Sequence, residues 1–228
     1  MFDGSVYRCR MTLKALKKQL NEGFMEVKRG CMIAVSAISD IGDKILLSNG
    51  EEICYTKRKK KALREELQKK QELMIAKISK KKLPLTPEEY GKYYKICDSL
   101  PFAFTDIEMV FNEEKKAVDW IFRYGNEALA TLEKLPLDKM IGNSFSSLFS
   151  NMDAKWLHVY ERATLYGETL EIMDYSPEID TNLKIICFPT FPGHCGCILF
   201  NADQMKSISE ENHLVRLAAV ALKSNPTI

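Results

Sequence analysis

Residues 194–197 read His194-Cys195-Gly196-Cys197, three side chains able to hold a metal within four positions. A closed tetrahedral site needs a fourth ligand at a workable spacing, and none follows. Strand alternation would put Cys195 and Cys197 on one face, so a turn running into a buried strand is expected there, and no metal site. His158, between Leu157 and Val159, and His213, before Leu214-Val215-Arg216-Leu217, have no catalytic companion, and no glycine-rich ATP module follows His213. Phosphate-loop, dinucleotide-binding and nucleophile-elbow spacings are absent from the sequence, and its carboxylates are dispersed. No catalytic residue is assigned, and an enzyme is not expected. The remaining chemistry is charge. Lys28-Arg29 and the run Lys57-Arg58-Lys59-Lys60-Lys61 supply guanidinium groups that can pair with guanine and ammonium groups that neutralise phosphate.

That charge is unevenly placed. Residues 1–85 hold 20 Lys and Arg against 10 Asp and Glu, a balance of +10, whereas residues 86–228 hold 13 against 21, a balance of −8. A basic half beside an acidic half argues for two modules, the first facing a polyanion. The 228 residues are 46% apolar, which excludes a disordered chain, and no apolar run is long enough to span a bilayer. The start MFDGSVYRCR lacks the order of a signal peptide. Seven cysteines at 9, 31, 54, 97, 187, 195 and 197 show no disulfide framework. These features fit a soluble cytoplasmic protein in a reducing compartment.

TLKALKKQL, residues 12–20, puts Leu13, Leu16 and Leu20 on one helical face behind Thr12 as N-cap. Gly23 ends that helix, and 24–35 read as an extended stretch broken at Gly30. Asn49-Gly50 between Ile45-Leu46-Leu47 and Ile53-Cys54-Tyr55 signals a hairpin. Residues 57–82 contain no Gly or Pro and carry Leu63, Leu67, Met74 and Ile78 on one stripe, predicting a long basic helix. Its stripe is interrupted at Lys70 and Gln71, which argues against an unbroken coiled coil. Thr86-Pro87-Glu88-Glu89 then caps a helix over 87–98. Two strands, 104–111 and 117–124, precede short helices at 126–135 and 136–141 and a longer one at 154–166. Strands over 168–175, 183–191 and 195–200 follow, then an amphipathic helix from Ser207 to Leu222.

This order of elements is similar to that of PAS sensory domains, over roughly Pro101 to Asp203. Tyr124-Gly125-Asn126-Glu127-Ala128 resembles the family's tyrosine-x-asparagine-x-alanine step, and Met140-Ile141-Gly142-Asn143-Ser144-Phe145 its "leucine-isoleucine-glycine-x-serine" step. Phe200-Asn201-Ala202-Asp203 sits where the family's last strand ends. The resemblance implies a five-stranded antiparallel sheet covered by helices, enclosing a small apolar cavity for an unidentified small-molecule ligand. Phe104, Trp120, Phe122, Phe145, Trp156 and Ile186 are the expected lining, against the alternative that they fill a dry core. His158 stands where heme-binding members place an axial ligand, although an ordinary helical histidine is the commoner outcome. The flavin-photoreceptor members need a cysteine in the helical segment, and residues 126–153 contain none.

Residues 11–63 resemble part of the LytTR DNA-binding domain. The run from Leu13 to Leu20, Phe24, Lys28-Arg29-Gly30, Ile33-Ala34, Asn49-Gly50-Glu51 and Thr56-Lys57-Arg58 follows that family's order. Lys28 stands in place of its histidine and Ala34 in place of its asparagine, and the family's opening strands would precede Met1. The resemblance implies DNA contacts from Lys28, Arg29, Lys57, Arg58 and Lys59.

The expected class is therefore α+β, in four parts. Residues 1–62 form a partial LytTR-like module, 63–98 linker helices, 99–205 a PAS domain and 206–228 a C-terminal helix. The expected function is that of a bacterial sensory or transcriptional regulator, a homodimer, whose PAS domain senses a ligand or dimerises while the LytTR-like module contacts DNA. The alternatives are a PAS ligand-sensing or protein-interaction module without DNA binding, and a PAS input piece of a cyclic-nucleotide signalling protein.

Overall fold

The computed structural model describes residues 10–20, 23–81, 85–150 and 153–203. The helix expected beyond Ser207, with His213, and Cys9 lie outside these residues. The chain divides into two units, residues 1–72 and 73–228.

In the first unit, α1 (Leu13–Gln19) begins where Thr12 Oγ1 accepts the Ala15 N–H at 3.2 Å, and its leucines are half-buried. The stretch from 24 to 34 folds on itself as an antiparallel pair, β1 (Phe24–Lys28) with β2 (Cys31–Ala34). Gly30 takes the positive φ of 79° that this two-residue reversal requires. The strands β3 (Ile38–Ile41), β4 (Ile45–Leu47) and β5 (Glu52–Ile53) make a second sheet in that order. Asn49 Oδ1 accepts the Glu51 N–H at 3.0 Å and Gly50 takes φ 83°, closing the β4–β5 turn. Met25, Val27, Ile33, Val35, Ile38, Ile41, Ile45 and Leu63 form the buried core. The basic run starts as a 3-10 turn, Lys57–Lys59, and continues as α2 (Lys60–Lys81). Along α2, Leu63 and Ile75 are buried and Leu67, Met74 and Ile78 half-buried.

In the second unit α3 (Pro87–Tyr93) opens with a capping box: Glu89 N–H donates to Thr86 Oγ1 and Thr86 N–H to Glu89 Oε2. The helix tightens to a 3-10 turn over Lys95–Ser99 rather than running on as one helix to 98. There follow β6 (Ala103–Phe111), β7 (Ala117–Gly125), α4 (Glu127–Glu133), α5 (Leu137–Met140), α6 (Phe145–Leu148), α7 (Ala154–Tyr166), β8 (Leu170–Ser176), β9 (Thr181–Pro189) and β10 (His194–Asn201). All pairings are antiparallel and the sheet order is β7-β6-β10-β9-β8.

The two motifs carried by the PAS resemblance have clear physical roles. Asn126, 1% exposed, accepts the N–H groups of Phe104 and Leu129 and donates to the carbonyls of Cys97 and Phe102, at 2.9–3.1 Å. One side chain thereby satisfies four backbone groups, from the 3-10 turn, β6, α4 and the loop before β6. Gly125 has no room for a side chain, since a Cβ there would stand 2.6 Å from Leu129 Cδ2. At the second motif Gly142 N–H donates to Phe122 O at 2.7 Å and Phe122 N–H to Asn143 O at 3.1 Å. That pairing holds Phe145 against the sheet.

Both faces of the sheet are covered. One packs against α4 to α7, through Ile107, Trp120, Phe122, Trp156 and Ile185 among others. The other is covered by α3 and the 3-10 turn after it, through Tyr90, Tyr94, Phe104, Ile186 and Phe188.

Candidate functional site

The cations of the first unit lie on turns and helix starts. Lys28 ends β1 and Arg29 forms its reversal; both are exposed, as are Lys57, Arg58 and Lys59. Four strands, β2 to β5, separate the two clusters in sequence, and Glu26 on β1 connects them. Its carboxylate is paired with Lys17 of α1, accepts the Gly30 N–H and feels the charge of Lys59. The Lys17 hydrogen bond is the largest cause holding that carboxyl below its ordinary value. Lys17 therefore joins the surface that sequence reading built from residues 28–29 and 57–59. An open groove of about 430 Å³ continues it, lined by Lys57, Arg58, Lys60, Lys61 and Arg64. Arg64 Nε donates to Ile41 O at 2.8 Å, fixing the start of α2 to β3. Lys60 and Lys61 lie 4.0 Å and 3.9 Å from Asp43 and Glu65. Lys28, Arg29, Lys57 and Arg58 make no ion pair among the described residues.

The second unit holds a cavity of about 30 Å³ between the sheet and its helices. Trp120, Phe122, Phe145 and Trp156 line it, together with Tyr160, Glu133 and Glu178. Trp120 packs on Phe145 at 4.3 Å between ring centroids and edge-on to Tyr160 at 5.1 Å. Glu178 accepts from Ser176 Oγ at 2.5 Å and from Asp153 N–H at 3.3 Å. Glu133 is pushed up to about 7, first by burial and then by the charge of Glu178.

Phe104 and Ile186 do not line the cavity. Both belong to the opposite face, where Phe104 packs on Tyr94 at 5.1 Å. Alternation puts Thr105 and Ile107, Leu183 and Ile185 toward the cavity and turns the residues between them outward. Because α3 buries the outer face as well, an apolar residue in β6 or β9 does not reveal its side.

On that outer face Asp106 accepts from Tyr94 Oη at 2.8 Å and Thr190 Oγ1 at 2.5 Å, and lies 2.6 Å from His194 Nδ1. His194 Nε2 is 3.3 Å from Tyr90 Oη, and Glu108 pairs with Arg123 at 2.6 Å. His194 is thus part of a polar tie between the sheet and α3. Cys195 and Cys197 point to the other face, with their sulfurs 3.7 Å apart. No group of three or more His, Cys, Asp or Glu among the described residues is arranged to hold a metal.

Residues 1–68 match the family model of the LytTr DNA-binding domain. No curated protein matches the chain. Among solved structures it is similar to the Rhodobacter sphaeroides LOV protein, at 14% identity and a TM-score of 0.43, over 61% of this chain and 84% of that one. A variant of RsLOV is similar at 13% identity and TM-score 0.40, over 58% and 79% of the two chains. An RNA-binding Light-Oxygen-Voltage receptor is similar at 16% identity and TM-score 0.32, over 60% of this chain and 39% of that one.

The LytTr match spans α1, both small sheets and the start of α2, so every basic residue named in the first unit lies within it. Lys17 was missed as a contributor because its partner Glu26 is nine residues away on a different element. In the second unit, the residues present do not fit a flavin or a heme. The cavity has room for about two water-sized particles, residues 126–153 hold no cysteine, and His158 is not among the cavity's lining residues. His158 Nε2 is buried without a hydrogen-bond partner among the described residues, and burial lowers the pKa of its ring. No helix among the described residues is long and apolar enough to cross a membrane.

Proposed function

We propose that the chain is a sensory regulator of transcription, in which the LytTr domain contacts duplex DNA and the PAS-like half senses a small ligand and forms a homodimer. The observation that carries the DNA reading is the position of Glu26, between Lys17 of α1 and the charge of Lys59. Glu26 pairs with Lys17 and feels the charge of Lys59, which supports reading segments about thirty residues apart in sequence as one basic surface with Lys28 and Arg29. Arg29 and Arg58 suit base edges, while Lys28, Lys57 and Lys59 suit phosphates. Occupancy of the cavity or dimer packing would act by population shift, biasing α2 and with it the basic surface.

Titrating duplex DNA at two salt concentrations tests this. Binding should weaken steeply with salt, and replacing Arg29, Lys57 and Arg58 by alanine should flatten the log–log slope by about 0.9 for each lost phosphate contact. Salt-independent or absent binding would leave the ligand-sensing or protein-interaction module as the function, a reading that Lys28 and Ala34, both departures from the family's DNA-reading residues, favour.

A further inference from the structure

The cavity has aromatic walls and carboxylates but no cation. Trp120, Phe145, Trp156 and Tyr160 bring ring faces and edges to it, and Glu133 and Glu178 bring two acids. None of its lining residues is Lys, Arg or His. The nearby ammonium groups are engaged elsewhere: Lys134 donates to Ile179 O at 3.3 Å, and Lys155 donates to Tyr175 O and pairs with Asp153 and Asp174.

The two acids differ. Glu178 accepts hydrogen bonds from Ser176 and Asp153, whereas Glu133 has no hydrogen-bond donor among the described residues and feels only burial and the neighbouring charge. Two carboxylates facing one desolvated space call for a proton or a positive ligand between them. Aromatic faces attract the same kind of partner through their quadrupoles. Lys155 Nζ already sits 5.0 Å from the Trp156 ring centroid, outside the lining. Size narrows the choice further, because about 30 Å³ holds roughly two water-sized particles.

We propose that this cavity binds a small primary ammonium ion, of the size of methylammonium, with Glu133 and Glu178 as counter-ions and the aromatic residues as its cage. This rests on the cavity being a ligand site, as proposed for the sensory half. Binding requires the ionised form of Glu133. The other titratable groups facing it are Glu178 from the β8–β9 turn, Tyr160 from α7 and Cys197 from β10. Burial pushes the phenol and the thiol up, so both stay neutral near neutral pH. With Glu133 at about 7, affinity rises about tenfold between pH 6 and pH 8.

The chain has two tryptophans, and both line the cavity, so intrinsic fluorescence reads its occupancy directly. The full chain is titrated with methylammonium chloride, with sodium chloride at matched ionic strength and with methanol, an uncharged molecule of the same size. Expected is a saturable change with methylammonium only, about tenfold tighter at pH 8 than at pH 6, and weakened at least tenfold in Glu133→Gln. Glu178→Gln gives a second loss if Glu133→Gln does not fold. A response to methanol equal to that of methylammonium, an equal response to sodium, or a pH-independent affinity overturns the cation assignment and leaves the cavity as a ligand site. No saturable response to any of the three overturns the cation assignment and counts against the cavity reading as well.

Discussion

His194 Nδ1 lies 2.6 Å from Asp106 Oδ1, with both residues at 1% exposure or less and 88 residues apart in sequence. Asp106 is the hub of that contact, since Tyr94 and Thr190 also donate to it from the far side. A buried carboxylate with three polar partners is costly to remove from water and is retained only because each partner meets it. Replacing it by an amide of the same shape, Asp106→Asn, puts an N–H₂ group where one of these donors now points. The expected loss is about 3 kcal/mol. Urea unfolding followed by tryptophan fluorescence measures it, because both tryptophans report on this unit. A loss under about 1 kcal/mol would show that the hub is dispensable.

Asn126→Ala is expected to be equally severe for a different reason. No charge is lost, but the N–H groups of Phe104 and Leu129 and the carbonyls of Cys97 and Phe102 lose their partner together. Each orphaned buried group costs about 1 kcal/mol or more, so about 3 kcal/mol is expected from the same unfolding experiment. Asn126→Asp should be no better, because a carboxylate cannot donate to the two carbonyls.

Much of this architecture is legible in local sequence signals. Thr12 and Thr86 cap helices as their spacing predicts, and Asn49-Gly50 closes a hairpin. These succeed because caps and tight turns are decided by a few neighbouring residues. The strand β3 has no such signal: Ile38-Ser39-Asp40-Ile41 is short, shows no strict alternation and contains a register shift between Ile38 and Asp40. Phe104 and Ile186 face outward and not into the cavity, which their sequence does not reveal because α3 makes the outer face of the sheet apolar too. The buried tie at Asp106 and His194 is built across the whole domain, and its one sequence trace is an aspartate in the middle of Phe104-Thr105-Asp106-Ile107.

The cysteines should separate sharply in reactivity. Cys54 is exposed, while Cys97, Cys187, Cys195 and Cys197 are buried. Burial pushes Cys97 up to about 12 and also raises Cys195 and Cys197, and Cys187 is raised first by its hydrogen bond with Cys195 and then by burial. The thiolate is the reactive form, so these four resist alkylation in the folded state. Iodoacetamide with peptide mass mapping should label Cys54 at least a hundredfold faster than any of them. Comparable rates in native protein would contradict the packing of β9 and β10.

Glu26 gives a test of the basic surface that leaves every cation in place. Its carboxylate offsets Lys17 and Lys59, so Glu26→Gln makes that surface more positive. Duplex binding at low salt is expected to tighten several-fold and to depend more steeply on salt. A purely structural role for the Lys17–Glu26 pair predicts the reverse, a loosened α1 and weaker binding.

Glu133 should leave its mark on stability even with no ligand added. Its folded-state value of about 7 lies above the ordinary 4.5, so the folded protein holds this proton after the unfolded chain has released it. The contribution is fully present below pH 4.5, declines as pH rises and is lost as pH passes through about 7. At about 1.4 kcal/mol per unit, the span amounts to about 3 kcal/mol. Urea midpoints taken between pH 4.5 and 8 should fall across that window in the wild type, and the Glu133→Gln variant should lack that part of the slope because its amide does not titrate. An identical slope in the two proteins would mean that Glu133 is solvated like an ordinary surface carboxylate and that the acidic end of the cavity is open to water.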